Sequence, residues 1–183
     1  MNRSLFITIH MYLSAFFAVF VLLVATSGGL YLLGVKGSVD ETAVFQADDN
    51  SALVAELKND PGLKLAVEML LTEAGVSDYS FEYVKVKGST LYTRPTSRTH
   101  YVIELGDGVS VSRAEPSLQK AMMELHMGHG PGAFKNFQKI FALGLLLVIL
   151  SGLWLGLSSE RLRLRTLAAA GAGALAFLTV LFI

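Results

Sequence analysis

Three long apolar stretches flank one block in which apolar and polar residues alternate at short period. The stretches run from Leu5 to Leu33, Phe137 to Leu157 and Leu167 to Ile183. A run of about 18 or more residues with few or no charges is long enough to cross a bilayer as a helix. The pattern predicts a first transmembrane helix over 1–34, an extramembrane block over 35–135, a second transmembrane helix over 136–158, a basic loop over 159–166 and a third transmembrane helix over 167–183.

Inside the block the period changes along the chain. Lys36 to Asn50 is polar, carries the acidic pairs Asp40-Glu41 and Asp48-Asp49, and reads as a linker leaving the membrane. Asn50 or Ser51 is an expected N-cap for a short helix over Ser51 to Lys58, which Asp60-Pro61-Gly62 breaks. Leu63, Ala66, Val67, Leu70 and Leu71 then fall at helical spacing, with Gly75 as the stop. From Tyr79 to Lys87 apolar and polar residues alternate, which predicts a half-buried strand. Thr90 to Arg94, His100 to Leu105 and Val109 to Ser112 continue a meander through turns at Gly88-Ser89 and Gly106-Asp107-Gly108. Pro116 to Met127 reads as a helix with Pro116 in its first turn. The expected fold is an α+β membrane protein. Its three transmembrane helices carry one extramembrane two-layer α+β domain between the first and second. In that domain a sheet of three or four strands is covered by helices on one face.

Composition sharpens this picture. The chain is 52% hydrophobic and 16% charged, with a mean hydropathy of +0.52, which fits a small polytopic membrane protein. Lys and Arg number 15 against 15 Asp and Glu, so no basic face for nucleic acid is expected. The absence of cysteine excludes disulfides and thiolate chemistry. Arg161, Arg163 and Arg165 crowd the loop after the second span and predict that it is cytoplasmic. Arg3 is on the same side, and the large block is then outside. Val24-Ala25-Thr26-Ser27-Gly28 has the small residues of a signal-peptidase site, but the apolar run continues through Leu30 to Leu33. An uncleaved signal anchor is expected.

Three motifs occur in a telling order. His10 opens the first span, which closes on Ala25-Thr26-Ser27-Gly28-Gly29-Leu30-Tyr31-Leu32. Leu125-His126-Met127-Gly128-His129-Gly130 leads into the second span, which closes on Leu150-Ser151-Gly152-Leu153-Trp154-Leu155. The two closing segments echo each other. Over nearly its whole length the chain resembles the PepSY-associated transmembrane family, as a small three-span member. The resemblance implies a multi-pass protein of the bacterial inner membrane with a periplasmic PepSY-like domain, a module associated with inhibition or regulation of partner proteins. Larger relatives with more spans resemble iron-regulated membrane proteins, and some act as haem-containing reductases of ferric siderophores. This chain departs from them in having three spans and four histidines.

The histidines are the candidate cofactor residues. His10 lies about a turn and a half inside the first span; it is a candidate axial ligand for haem b, or an interfacial imidazole bonded to headgroups or a neighbouring helix. By the arginine rule His126 and His129 lie at the opposite membrane face, roughly 25–30 Å away for one hydrocarbon thickness. One chain could not then clamp a single haem between His10 and His126. His126 and His129 are spaced i, i+3, and Met122, Met123 and Met127 lie beside them. That group is a candidate soft metal site for copper, a support for a haem edge, or methionine packing with histidines capping a turn. His100 reads as a surface or sheet-edge residue. The hydroxyls of Ser27 and Ser151 are expected on backbone or a neighbouring helix.

Small residues point to helix packing. Gly28 and Gly29, Gly152 and Gly156, and Gly171 and Gly173 would let helix backbones approach closely. No cofactor is firmly implied. The leading expectation is a non-catalytic accessory protein whose outer domain and small-residue helices bind a membrane-protein partner or a second copy within the lipid bilayer. The alternatives are a haem b electron-transfer or ferric-siderophore reductase component, and periplasmic copper handling.

Overall fold

The computed structural model describes residues 3–48, 52–60, 62–106 and 108–183, with backbone alone at 52 and 53. The expected N-cap at Asn50 or Ser51, Pro61 of the helix break and Asp107 of the hairpin turn lie outside the described residues. Among the described residues the order is α1 (Arg3–Leu32), β1 (Val39–Asp48), α2 (Ala52–Asn59), α3 (Lys64–Glu73), β2 (Tyr83–Lys87), β3 (Thr90–Arg94), β4 (His100–Leu105), β5 (Gly108–Pro116), α4 (Leu118–His126), α5 (Gly132–Leu157) and α6 (Arg163–Leu181). The chain is an α+β protein with three helices long and apolar enough to cross a membrane, α1, α5 and α6. It divides into two compact units, Met1–Leu22 with Lys139–Ile183, and Leu23–Gln138.

In the first unit, aromatic side chains and one glycine bring α1 against α5. Phe17 is buried, with its ring centroid 5.7 Å from Phe141, and Phe6 meets Trp154 at 4.6 Å. A Cβ on Gly144 would clash with the ring of Phe17, so this glycine lets α1 and α5 pack closely. Gly156 packs against Thr166 of α6. A Cβ on Gly171 or Gly173 would meet nothing within 4 Å. Most other large side chains of these helices are exposed, as a lipid-facing surface requires.

The second unit is built on one antiparallel sheet of order β1-β5-β4-β3-β2. β1 was expected to be linker. Its acidic, largely exposed sequence gives little alternation, and the register shifts between Ala43 and Phe45. What makes it a strand is its ladder with β5, from Val39 opposite Pro116 to Asp48 opposite Gly108, a pairing distant in sequence. Charged residues and a bulge are common on such edge strands. Pro116 ends β5 rather than opening the helix; Ser117 is the N-cap of α4, its hydroxyl accepting from Lys120 N at 3.4 Å. The same hydroxyl accepts from Ser38 N at 3.0 Å, tying the start of β1 to the start of α4. Gly37 has φ +74° and a Cβ there would strike the Lys120 backbone, so this junction requires glycine. The expected strand from Tyr79 is ordered as β only from Tyr83, with Phe81 buried ahead of it.

Alternation sorts the strand residues onto two faces. Leu91, Tyr101, Ile103, Val109 and Val111 point to one side, where Val54 and Leu57 of α2 and Ala66, Val67, Leu70 and Leu71 of α3 complete a single core. α4 lies over part of the other side, which the sequence expectation left without a helix.

Candidate functional site

The side of the sheet under α4 is polar. Lys85 of β2, Tyr92 and Arg94 of β3, His100 and Val102 of β4 and Glu41 of β1 share it by register. α4 contributes Lys120 and Glu124, the β3–β4 loop contributes Thr96, and His129 follows α4. Together with Val39 and Lys87 these side chains line a cleft of about 330 Å³.

Glu124 is its centre. The residue is only 7% exposed, an unusual place for a carboxylate. Thr96 Oγ1 donates to its Oε2 at 2.5 Å, and His129 Nδ1 lies 2.7 Å from the same oxygen. Lys120 Nζ holds Oε1 at 3.1 Å, and Arg94 Nη1 stands 3.6 Å from Oε2 while donating to Thr96 Oγ1 at 2.7 Å. Burial pushes the pKa of Glu124 up, but the bonds from Thr96, Lys120 and His129 outweigh it and hold the group below its ordinary value. The carboxylate is therefore ionised at neutral pH, and both oxygens are committed to internal partners.

His100 sits beside this network. It was expected at the surface or a sheet edge; it is 7% exposed, on the interior strand β4, because α4 covers that face. Its Nδ1 lies 2.9 Å from the Arg98 carbonyl, which can only accept, so the proton is on Nδ1. Burial lowers its pKa, against the pull of the Arg98 carbonyl and of Glu124. His100 is thus a neutral imidazole at pH 7, with Nε2 as an acceptor.

The candidate haem and metal residues are parted rather than gathered. α4 stops at His126, Met127 caps it and Gly128 turns with φ +78°, so His126 and His129 do not share a helix face. His129 goes to Glu124, and His126 Nδ1 goes to Ser27 Oγ of α1 at 3.3 Å. Met123 is buried, Met127 is exposed and Met122 is between the two. Among the described residues no three His, Asp or Glu side chains form a group that could hold a metal ion.

His10, in the first unit, has Nδ1 2.8 Å from Ser151 Oγ of α5. The two echoed segments thus do the same thing. In each, the serine hydroxyl donates three residues back, Ser27 to Val24 O at 3.1 Å and Ser151 to Val148 O at 3.0 Å. In each, the following glycine makes room for the ring: a Cβ on Gly28 would lie 3.3 Å from His126 Cε1, and one on Gly152 3.2 Å from His10 Cε1. A Cβ on Gly29 would meet nothing within 4 Å. A hydroxyl has one hydrogen; with it on the carbonyl, the imidazole donates to the serine oxygen through Nδ1 and Nε2 points away from this contact on both His10 and His126.

Glu124, Arg94 and Thr96 were not among the sequence candidates. Glu124 four residues after Lys120 reads as an ordinary solvated helix pair, and no local signal shows that a sheet lies beneath it. No protein-family model, no curated protein and no solved structure matches this chain.

Proposed function

We propose that this is a non-catalytic accessory or regulatory membrane protein of PepSY-associated type, set in a bacterial inner membrane. In this reading its α+β domain is periplasmic and binds a partner membrane complex. One observation carries the reading: the cleft under α4 is lined by a buried carboxylate committed to internal partners and by the exposed lysines Lys85 and Lys87. A carboxylate so engaged is a structural anchor for a binding surface rather than a free acid or base. The exposed small-residue helix α6 supports a second contact within the bilayer. Gentle solubilisation after cross-linking in native membranes tests this. A discrete complex with other membrane proteins is the expected result; recovery of the isolated monomer alone would sink the reading.

A second reading, haem b electron transfer, is favoured by the paired histidine–serine contacts. A metal-binding imidazole usually donates its other N–H to an acceptor, which fixes its tautomer. The serine contacts of His10 and His126 have the geometry for that donation, and among the described residues neither Nε2 makes a hydrogen bond. Each would supply one ligand to the haem iron, with the other coming from a partner or a second copy. Haem iron, when bound, supplies one-electron transfer. Oxidised and dithionite-reduced absorption spectra of protein from its native membrane decide this. A b-type signal weakened by His10→Ala or His126→Ala supports it, and a colourless protein removes it.

A further inference from the structure

We infer that the cleft between the sheet and α4 binds a carboxylate, carried either by a small organic acid or by an acidic side chain of the partner. This deepens the accessory-protein reading and rests on it.

The argument starts from what the network leaves over. Four cationic side chains line the cleft against two carboxylates. Glu124 is saturated by Thr96, Lys120 and His129. Arg94 is far from saturated: its guanidinium, a fork of several donors, gives one hydrogen bond to Thr96, and Nε has no partner. Lys85 and Lys87 alternate on β2 and so point to the same face, and neither makes an ion pair among the described residues. The positive charge is therefore in excess at the β2 side of the cleft. It stands over a partly apolar floor in which register sets Tyr92 between Lys85 and Val102.

This combination selects the ligand. The cations call for an anion, and a carboxylate matches ammonium and guanidinium donors by charge-assisted hydrogen bonds. The ring of Tyr92 and the Val102 side chain suit a short aliphatic stem. The buried Glu124 disfavours a group of higher charge density. A volume of about 330 Å³ admits a small acid or one side chain, not a larger ligand. Lysines on an edge strand are also a common guard against strand pairing. That role alone would not place them beside a half-buried arginine with donors to spare.

The test uses the full chain in neutral phosphatidylcholine nanodiscs. Succinate is titrated against chloride at constant ionic strength, and a hexaglutamate peptide is titrated separately, with binding followed by calorimetry. The expected result is saturable binding that falls on the order of tenfold or more in the exposed double variant Lys85→Glu/Lys87→Glu. Tighter binding of succinate assigns the site to a small acid, and tighter binding of the peptide to a partner's side chain. Failure of both probes to saturate, or equal binding by the double variant, overturns the inference. If both probes fail while cross-linking still captures a discrete complex, the carboxylate assignment falls alone. If a probe binds but no complex forms, the accessory reading falls instead.

Discussion

The two faces of the sheet are made by the same five strands and held by opposite physics. Toward α2 and α3, Leu91, Ile103 and Val111 are fully buried among apolar side chains. Toward α4, His100 and Glu124 are buried, and Arg94 half-buried, among polar ones. The first face stabilises by removing apolar area from water. The second gains little that way, because desolvating charges costs about as much as their attraction returns. A charged network retained where an apolar one would serve points to a use other than stability, and this supports reading the α4 side as the binding face.

The largest expected effect is on the apolar face. Ile103→Ala empties a site that is 0% exposed and should cost about 2–5 kcal/mol. Amide hydrogen exchange across β3 to β5 measures it, as a loss of protection shared by the whole sheet. A cost confined to the amides next to residue 103 would show that this face is not one cooperative core.

On the polar face, Glu124→Leu should cost about 1–3 kcal/mol, because Arg94, Lys120 and His129 lose their common acceptor. Lys120 and His129 are each about one-third exposed and recover water, which keeps the cost at this level. Adding Arg94→Met should return part of it, since the pair rather than either member is dispensable. A double variant as costly as the sum of the singles would mean that the network is worth more than its desolvation. Thr96→Val should be milder, roughly 1 kcal/mol, and its effect should shrink once Glu124 is Leu, leaving only the loss of the Arg94 bond to the Thr96 hydroxyl. Hydrogen exchange read in all four combinations gives that coupling directly.

The apolar face was largely legible in the sequence and the polar face was not. Leu63 to Leu71 at helical spacing and His100 to Leu105 as a strand are local patterns, and the structure keeps both as α3 and β4. β1 escaped notice because its strand character comes from pairing with β5, not from its own alternation. The cleft escaped for the same reason. Arg94, Thr96, His100, Glu124 and His129 are spread along the chain, and only the ladder and the Ser117 cap bring α4 over them. The echo of Ser27-Gly28 in Ser151-Gly152 was visible as a repeat, but its role as a seat for an imidazole needed coordinates.

The smallest effect separates the faces by pH. His100 is held below its ordinary value of 6.5, first by burial and further by Arg94, with the Arg98 carbonyl, Glu124 and Glu41 pulling the other way. Folding therefore favours the neutral ring. Above pH 6.5 both folded and unfolded chains carry it neutral, and nothing is lost. As pH falls below that value the unfolded chain takes up the proton first, so stability declines until the folded pKa is passed. Glu124 follows at lower pH. Its folded pKa lies below the ordinary 4.5, so its contribution is intact above 4.5 and lost as pH falls from there through the folded value. Acid should thus loosen the α4 side in two steps, and the core against α2 and α3 should give way only afterwards. Hydrogen exchange of α4 amides, followed from pH 7 to well below 4.5, measures this as a slope. His100→Gln should flatten the upper step and Glu124→Gln the lower, whatever either does to stability at neutral pH. A single cooperative loss at both faces, with neither variant changing the slope, would show that the polar face has no separate titration and that its charges are coupled to the core.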